Sequence, residues 1–179
     1  MVGLHMRNLY IELFYRHPLG EMLLWGAGLV LIWTILAVIF RSWPGFWKWG
    51  NLFLFCTAVV FILWRTVGNR TVGKREFSLI PFYSFVAART TSERYRSLVA
   101  NILLFIPFGL TLPFCIKRHA VRATILAAAG FSMMIELVQF VFGLGLCETD
   151  DVIFNTLGAA FGTLAFVIQQ QITKYRRAR

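Results

Sequence analysis

The residues of this chain best suited to chemistry are carboxylates and amides at the edge of, or inside, segments apolar enough to span a membrane. Only eight acidic residues occur among 179, and four of them fall between residues 136 and 151. A charged side chain near the centre of a bilayer costs about 2.5–3.5 kcal/mol on insertion scales, so such groups are seldom kept without a function. Six polar residues are therefore candidates for a functional cluster: Asn101, Glu136, Gln139, Glu148, Asp151 and Asn155.

The spacing of these residues places several of them on shared helix faces. Glu136 and Gln139 are three residues apart, and Asp151 and Asn155 are four apart, so each pair occupies one face of a helix. If the two helices pack together, a hydrogen-bonded cluster forms just beneath one membrane surface. Carboxylate and amide oxygens can hold Mg²⁺ against a phosphate, and a carboxylate in a low-dielectric site can serve as an acid or a base. The alternative is a structural role, because amides also hydrogen-bond across membrane helices without further function.

The composition of the chain indicates an integral membrane protein. Hydrophobic residues make up 58% of the sequence and charged residues 15%, and the mean hydropathy is +0.68. The net charge of +10 does not indicate nucleic-acid binding, because the Lys and Arg residues lie in loops between apolar segments, where such residues set topology and contact lipid phosphates. Three dispersed cysteines predict neither a disulfide framework nor a zinc site. The sequence assigns no metal or cofactor.

Five apolar segments predict an all-α, polytopic membrane helix bundle with about five transmembrane segments. These segments are residues 22–40, 49–64, 98–116, 123–146 and 152–168. The chain divides into an interfacial N-terminal segment (1–21), an extra transmembrane helix with an aromatic loop (22–50), the main membrane domain (51–171) and a basic tail (172–179).

The third apolar segment, residues 98–116, permits two topologies because two prolines and a glycine interrupt it. If it is re-entrant, sixteen Lys and Arg residues lie on one side of the membrane and two on the other, which the positive-inside rule favours. If it crosses, the eighteen residues divide equally, but Asn101 then lies near the same membrane surface as Glu136 and Asn155. We favour the crossing topology, which accounts for this shared depth. We expect the acidic loop outside and the C-terminus in the cytoplasm.

Small residues and prolines predict how the helices pack. Gly158 and Gly162 are four residues apart, a spacing that lets two membrane helices approach closely. We assign Pro107 and Gly109, in the third segment, to helix packing as well. Asp150 is expected either to cap the N-terminus of the last helix or to lie in a solvated loop.

Three blocks of the sequence, taken in order, resemble the VanZ-like family of integral membrane proteins. The blocks run from Asn101 to Gly109, from Glu136 to Gln139, and from Asp151 through Asn155 and Gly158 to Gly162, and the resemblance covers residues 78–168. The chain departs from the family pattern at three positions. Ser78 stands where Asn is usual, Gly145 where many relatives have Arg, and Glu148 where they have Asp.

The resemblance implies a bacterial cell-membrane protein associated with lowered sensitivity to glycopeptide antibiotics such as teicoplanin. The partners expected are membrane lipids, together with a lipid-linked cell-wall precursor or the glycopeptide itself, and an oligomer is open. Two other classes of function remain as alternatives. One is an intramembrane enzyme acting on a lipid-linked phosphate, and the other is a small transporter or structural membrane partner.

Overall fold

The computed structural model of the chain describes residues 44–73, 75–82 and 91–177, together with six helical positions between residues 24 and 39. In chain order the elements are α1 (Pro44–Leu63), β1 (Glu76–Ser78), α2 (Thr91–Cys115), α3 (Ala120–Phe142), β2 (Leu146–Glu148) and α4 (Thr149–Arg177). The interfacial helix expected in residues 1–21 and most of the apolar segment 22–40 lie outside the described residues.

Within the described residues, four helical stretches are long and apolar enough to cross a membrane. They are Trp49–Gly68, Leu98–Cys115, Ala120–Phe142 and Thr149–Ile168. Each has about the length needed to cross a hydrocarbon core of ~30 Å at the helical rise of ~1.5 Å per residue. The all-α, polytopic membrane bundle predicted from the sequence is confirmed.

Helix α2 runs unbroken through both prolines of the segment whose topology the sequence left open. Pro107 removes one backbone donor from the helix, and Thr111 Oγ1 donates to the Pro107 carbonyl O at 2.8 Å.

The 23 residues of α3 cover about 35 Å at the helical rise. The turn at residues 116–119 and strand β2 therefore lie at opposite ends of the bundle, as the crossing topology requires.

Helices α2 and α4 run parallel and approach each other through glycines. A Cβ atom added at Gly158 would overlap the backbone of Ile102, and one added at Gly162 would overlap α2 one turn further along. On the facing side, a Cβ at Gly109 would overlap the backbone of Ala159. Backbones this close exclude any larger residue at the three glycine positions, and such contacts give tight van der Waals packing between membrane helices.

An aromatic core packs α1, α2 and α3 together. The ring centroids of Phe55 and Phe108 are 5.1 Å apart, and Phe108 stacks on Phe131 at 5.7 Å. Ile62 and Ile135 are buried in the same cluster. Aromatic pairs of this kind contribute about 0.5–1.5 kcal/mol beyond their buried area, so the core holds in place the helices that carry the polar residues.

Two three-residue strands join the loops at one end of the bundle. Strand β1 pairs with β2 in parallel, with Ser78 opposite Glu148. Just before the pair, the Gly73 N–H donates to the Gly143 carbonyl O at 2.7 Å. The basic loop after α1 and the acidic loop after α3 therefore lie on the same side of the bundle.

Candidate functional site

The polar cluster lies beneath the two strands, where α3 ends and α4 begins. Asn101, on α2, donates from Nδ2 to Oδ1 of Asp151, on α4, at 2.7 Å. A side-chain hydrogen bond between membrane helices contributes about 0.6–2 kcal/mol. The bond therefore joins the two glycine-packed helices and also fixes the orientation of the Asp151 carboxylate.

Glu136, two turns before the end of α3, is the second carboxylate of the cluster and is 4% exposed. Its Oε2 accepts the backbone N–H of Glu148 at 3.0 Å, which holds β2 against α3. Asp151 and Arg70 are charged neighbours of this carboxylate, and Arg70 is also a charged neighbour of Asp151. A buried carboxylate is costly unless it is paired and hydrogen-bonded. The two carboxyl groups and the guanidinium thus lie close enough to interact electrostatically with one another.

Gln139 shares a helix face with Glu136 but hydrogen-bonds away from the carboxylates. It is 2% exposed, and its Nε2 donates to the Thr66 carbonyl O at 2.7 Å. That carbonyl lies in the π-helical turn Trp64–Gly68, which follows α1. A π turn departs from the regular i→i+4 pattern, and this one presents a carbonyl to the neighbouring helix. Gln139 therefore fastens α3 to the end of α1.

Asn155 lies one turn deeper than Asp151 and is 2% exposed. Its Nδ2 donates to Oγ of Ser132, on α3, at 2.8 Å. Within the part of the chain that the structure describes, Asn155 Oδ1 has no hydrogen-bond partner, and an unsatisfied buried acceptor costs about 1–3 kcal/mol. That oxygen can accept from a water molecule or from a ligand that reaches below the carboxylates.

Three residues of the site were not in the candidate polar cluster predicted from the sequence: Arg70, Ser132 and Asp150. Asp150 is 2% exposed, and its Oδ1 accepts the backbone N–H of Phe82, so it tethers the turn after β1 to α4 instead of lying solvated. Ser132 lies four residues before Glu136 on α3, and this spacing was a signal that could have identified it.

The Arg70 guanidinium lies against Gly145. A Cβ atom added at Gly145 would lie 2.8 Å from Arg70 Nη1, and Gly145 has a φ of +154°. The loop after α1 therefore brings a positive charge against the loop after α3. No local spacing predicts this placement, because the two residues come together only through the pairing of β1 with β2.

Cys147, on β2, borders the same carboxylates. Burial raises the pKa of its thiol above the usual value, and the carboxylate of Glu136, with which the thiol hydrogen-bonds, raises it further. The thiol therefore stays protonated at neutral pH and is a poor nucleophile. Among the described residues, no three His, Cys, Asp or Glu side chains are grouped so as to hold a metal ion.

Comparisons with known proteins point to the same family as the three sequence blocks between Asn101 and Gly162. A family model described as VanZ/LLP1 matches residues 28–170, a range that contains every residue of the site and part of the apolar segment 22–40. Protein VanZ of Enterococcus faecium is 32% identical over 89 residues, which is 50% of this chain and 51% of that protein. The match thus spans about half the length of that relative. No solved structure matches the chain. The chain belongs to the VanZ/LLP1 family.

Proposed function

We propose that this protein acts in a bacterial cell membrane to lower sensitivity to glycopeptide antibiotics such as teicoplanin. Family membership supports this class of function, because the family takes its name from a protein linked to teicoplanin resistance. The observation that carries the mechanism is the pair of carboxylates, Glu136 and Asp151, held at one end of the bundle by hydrogen bonds from other elements. Carboxyl groups held in fixed orientations at this position can bind or repel the polar part of a lipid-tailed drug at the membrane surface.

The charge distribution along α4 supports an outward orientation of the cluster. The helix begins with Asp150 and Asp151 and ends in a basic stretch. The positive-inside rule assigns the basic end to the cytoplasm, so the carboxylate end faces outward. The basic loop after α1 lies on that same outer side, although the positive-inside rule taken alone would assign a basic loop to the cytoplasm. The outward orientation of the cluster is therefore inferred from α4 and not from the total charge of the loops.

The test compares cells that produce wild type, Glu136→Gln or Asp151→Asn at matched membrane levels. Teicoplanin susceptibility and surface binding of a fluorescent lipid-tailed glycopeptide are measured together. We expect wild type to lower both drug binding and sensitivity, and both variants to lose most of this effect, because each replaces a carboxyl group by an amide with little change in shape. Lys117→Gln, at the opposite end of the bundle, is the matched control and should protect as wild type does.

Each outcome of this comparison is informative. Equal protection by wild type and both carboxylate variants would make the carboxylates structural. No protection by wild type would reject drug resistance as the function of this protein.

A second candidate is an intramembrane enzyme acting on a lipid-linked phosphate, and the position of Arg70 favours it. A guanidinium binds phosphate oxygens in a bidentate manner, and a carboxylate beside it can transfer a proton during the reaction. Phosphate release from a lipid-linked phosphate by the purified protein, with and without divalent cations, is the assay. Arg70→Lys and Glu136→Gln should each reduce release strongly, and release that survives both substitutions would contradict this mechanism.

A further inference from the structure

A pocket lies at the end of the bundle opposite the carboxylates. Its volume is about 490 Å³, and small-molecule sites in proteins typically measure ~300–1,000 Å³. The pocket is bounded by the turn that joins α2 to α3, by the first residues of α3 and by residues 166–170 of α4. It therefore has room for a ligand at a place that the carboxylate cluster does not reach.

The polar part of the pocket lining is basic. Lys117 and Arg122 line it, together with His119 and Gln170, and all four side chains are exposed. Among the described residues, every acid lies at the end that carries the strands: Glu76, Glu93, Glu136, Glu148, Asp150 and Asp151. None of these carboxylates can neutralise the two cations, so the pocket attracts a negatively charged group.

The start of α3 adds backbone donors to the same pocket. Ala120, Val121 and Arg122 line it, and the N–H groups of the first helical residues have no partner within a helix. His119, at the N-cap position, has a φ of +51° and makes no side-chain cap hydrogen bond, and the first turn contains no acidic residue. The partial positive charge of the helix N-terminus therefore adds to that of the two cations.

A buried hydroxyl below the pocket also lacks a partner. Thr124 is fully buried and lies one turn below Ala120 on the same face of α3. Within the part of the chain that the structure describes, its Oγ1 has no hydrogen-bond partner. Because side chains on a helix tilt toward its N-terminus, Thr124 leans toward the end that the pocket covers. Its hydroxyl can donate to an oxygen atom that reaches past Ala120.

The apolar part of the lining places the pocket at the membrane surface. Phe166 is 9% exposed and belongs to the span formed by α4, whereas Gln170 lies just beyond that span. Ile116 follows the last residue of the span formed by α2. A ligand here would contact cations on one side and the edge of the hydrocarbon core on the other. Basic pockets between membrane helices bind lipid headgroups in this way.

We propose that this pocket binds the phosphate group of an anionic membrane phospholipid. The Lys117 ammonium and the Arg122 guanidinium donate to the phosphate oxygens, and the N–H groups at the start of α3 lie beneath them. The glycerol and the first carbons of an acyl chain lie against Ile116 and Phe166. With α4 oriented as proposed above, the lipid belongs to the cytoplasmic leaflet. The inference does not depend on a role in drug resistance.

Native mass spectrometry of the full-length protein, released from non-ionic micelles, counts the lipids that remain bound. The protein is titrated with phosphatidylglycerol or with phosphatidylcholine of the same acyl chains. We expect phosphatidylglycerol to bind about 25-fold more tightly, because each of two cations contributes about fivefold, the factor that ~1 kcal/mol produces. Equal affinity for the two lipids would overturn the proposal.

Variants of exposed residues locate the binding without disturbing the core. Lys117→Gln and Arg122→Gln should each weaken phosphatidylglycerol binding about fivefold and leave phosphatidylcholine binding unchanged. Gln170→Glu places a negative charge in the lining and should also weaken phosphatidylglycerol binding.

Arg118→Gln is the matched control, because Arg118 is exposed and lies between two lining residues in the sequence but outside the lining. It makes the same change in net charge as Lys117→Gln and should bind phosphatidylglycerol as wild type does. Equal weakening by Arg118→Gln and Lys117→Gln would show that the lipid responds to overall charge, and would overturn the pocket as the site.

Glycerol 3-phosphate tests the source of the phosphate, because it carries the group without acyl chains. We expect phosphatidylglycerol to remain bound when glycerol 3-phosphate is added at the same concentration. Displacement of the lipid at that concentration would overturn a lipid as the occupant and would indicate a soluble phosphate ester.

The lipid site and the proposed function can fail separately. Phosphatidylglycerol selectivity that survives the combined Lys117→Gln and Arg122→Gln variant would reject this inference and leave the proposed function standing. Wild type that binds phosphatidylglycerol selectively but gives no drug protection would reject the proposed function and leave this inference standing.

Discussion

Replacing Gly158 by alanine should force α2 and α4 apart. The added Cβ would lie 2.8 Å from the carbonyl carbon and 2.9 Å from the Cα of Ile102, and these are backbone atoms that cannot rotate away. Non-bonded carbon atoms rest at about 3.5–4.0 Å, so the two helices must separate by roughly 1 Å.

A separation of this size would also act on the functional cluster. The Asn101–Asp151 hydrogen bond is 2.7 Å long, and 1 Å more would carry it beyond the ~3.2 Å limit of a good bond. Overpacking costs about 1–3 kcal/mol, and a lost interhelical hydrogen bond adds about 0.6 kcal/mol. We therefore expect Gly158→Ala to lower the free energy of unfolding by about 2–3 kcal/mol.

Unfolding of the purified protein in mild detergent, titrated with a denaturing detergent and followed by circular dichroism, measures this loss. Gly130→Ala is the matched control, because an added Cβ there has nothing within 4 Å. That variant should be neutral or gain up to about 1 kcal/mol from the helix preference of alanine. If Gly158→Ala unfolds at the same detergent fraction as Gly130→Ala, the close approach of α2 and α4 does not stabilise the bundle.

Three further perturbations test individual contacts of the site. Gln139→Leu leaves a buried carbonyl of the π-helical turn unpaired and should lower the unfolding free energy by about 1–3 kcal/mol in the same titration. Gly145→Ala would place a Cβ 2.8 Å from Arg70 Nη1, so it should shift the guanidinium and reduce teicoplanin protection, but by less than Arg70→Ala, which removes the guanidinium; a loss as large as that of Arg70→Ala would contradict this. Alkylation of Cys147 should rise with pH around a midpoint above that of a free thiol, because burial and the Glu136 carboxylate favour the protonated form. Glu136→Gln removes the carboxylate charge and should move that midpoint to lower pH, and an unmoved midpoint would show that burial alone sets the thiol pKa.

Hydropathy was sufficient to predict the helices, because a long apolar run in a membrane must satisfy its backbone hydrogen bonds internally and a helix does so. The three- and four-residue spacings also placed Glu136 with Gln139, and Asp151 with Asn155, on common faces. Spacing does not determine the partner of each side chain. Gln139 binds the end of α1, whereas Asn155 binds Ser132 on α3. These partners follow from how the helices rotate against each other in the aromatic core.

The strands and the position of Arg70 could not be predicted from local pattern. Each strand has three residues, too few for an alternating pattern to show. Their pairing depends on α2 and α3 both being in place, since these helices separate β1 from β2 along the chain. Arg70 reaches Gly145 only as a result of that pairing, so its role depends on the tertiary structure.

The parallel pairing of β1 with β2 also sets an order of events during synthesis. Strand β1 leaves the ribosome without a partner and must wait until α2 and α3 have inserted and β2 has been made. Only then can Glu136 accept the Glu148 N–H and the arginine of the first loop settle against Gly145. Non-local contacts of this kind form late because the intervening chain must first be ordered. A nascent or truncated copy that stops before β2 is therefore anchored in the membrane without an assembled site.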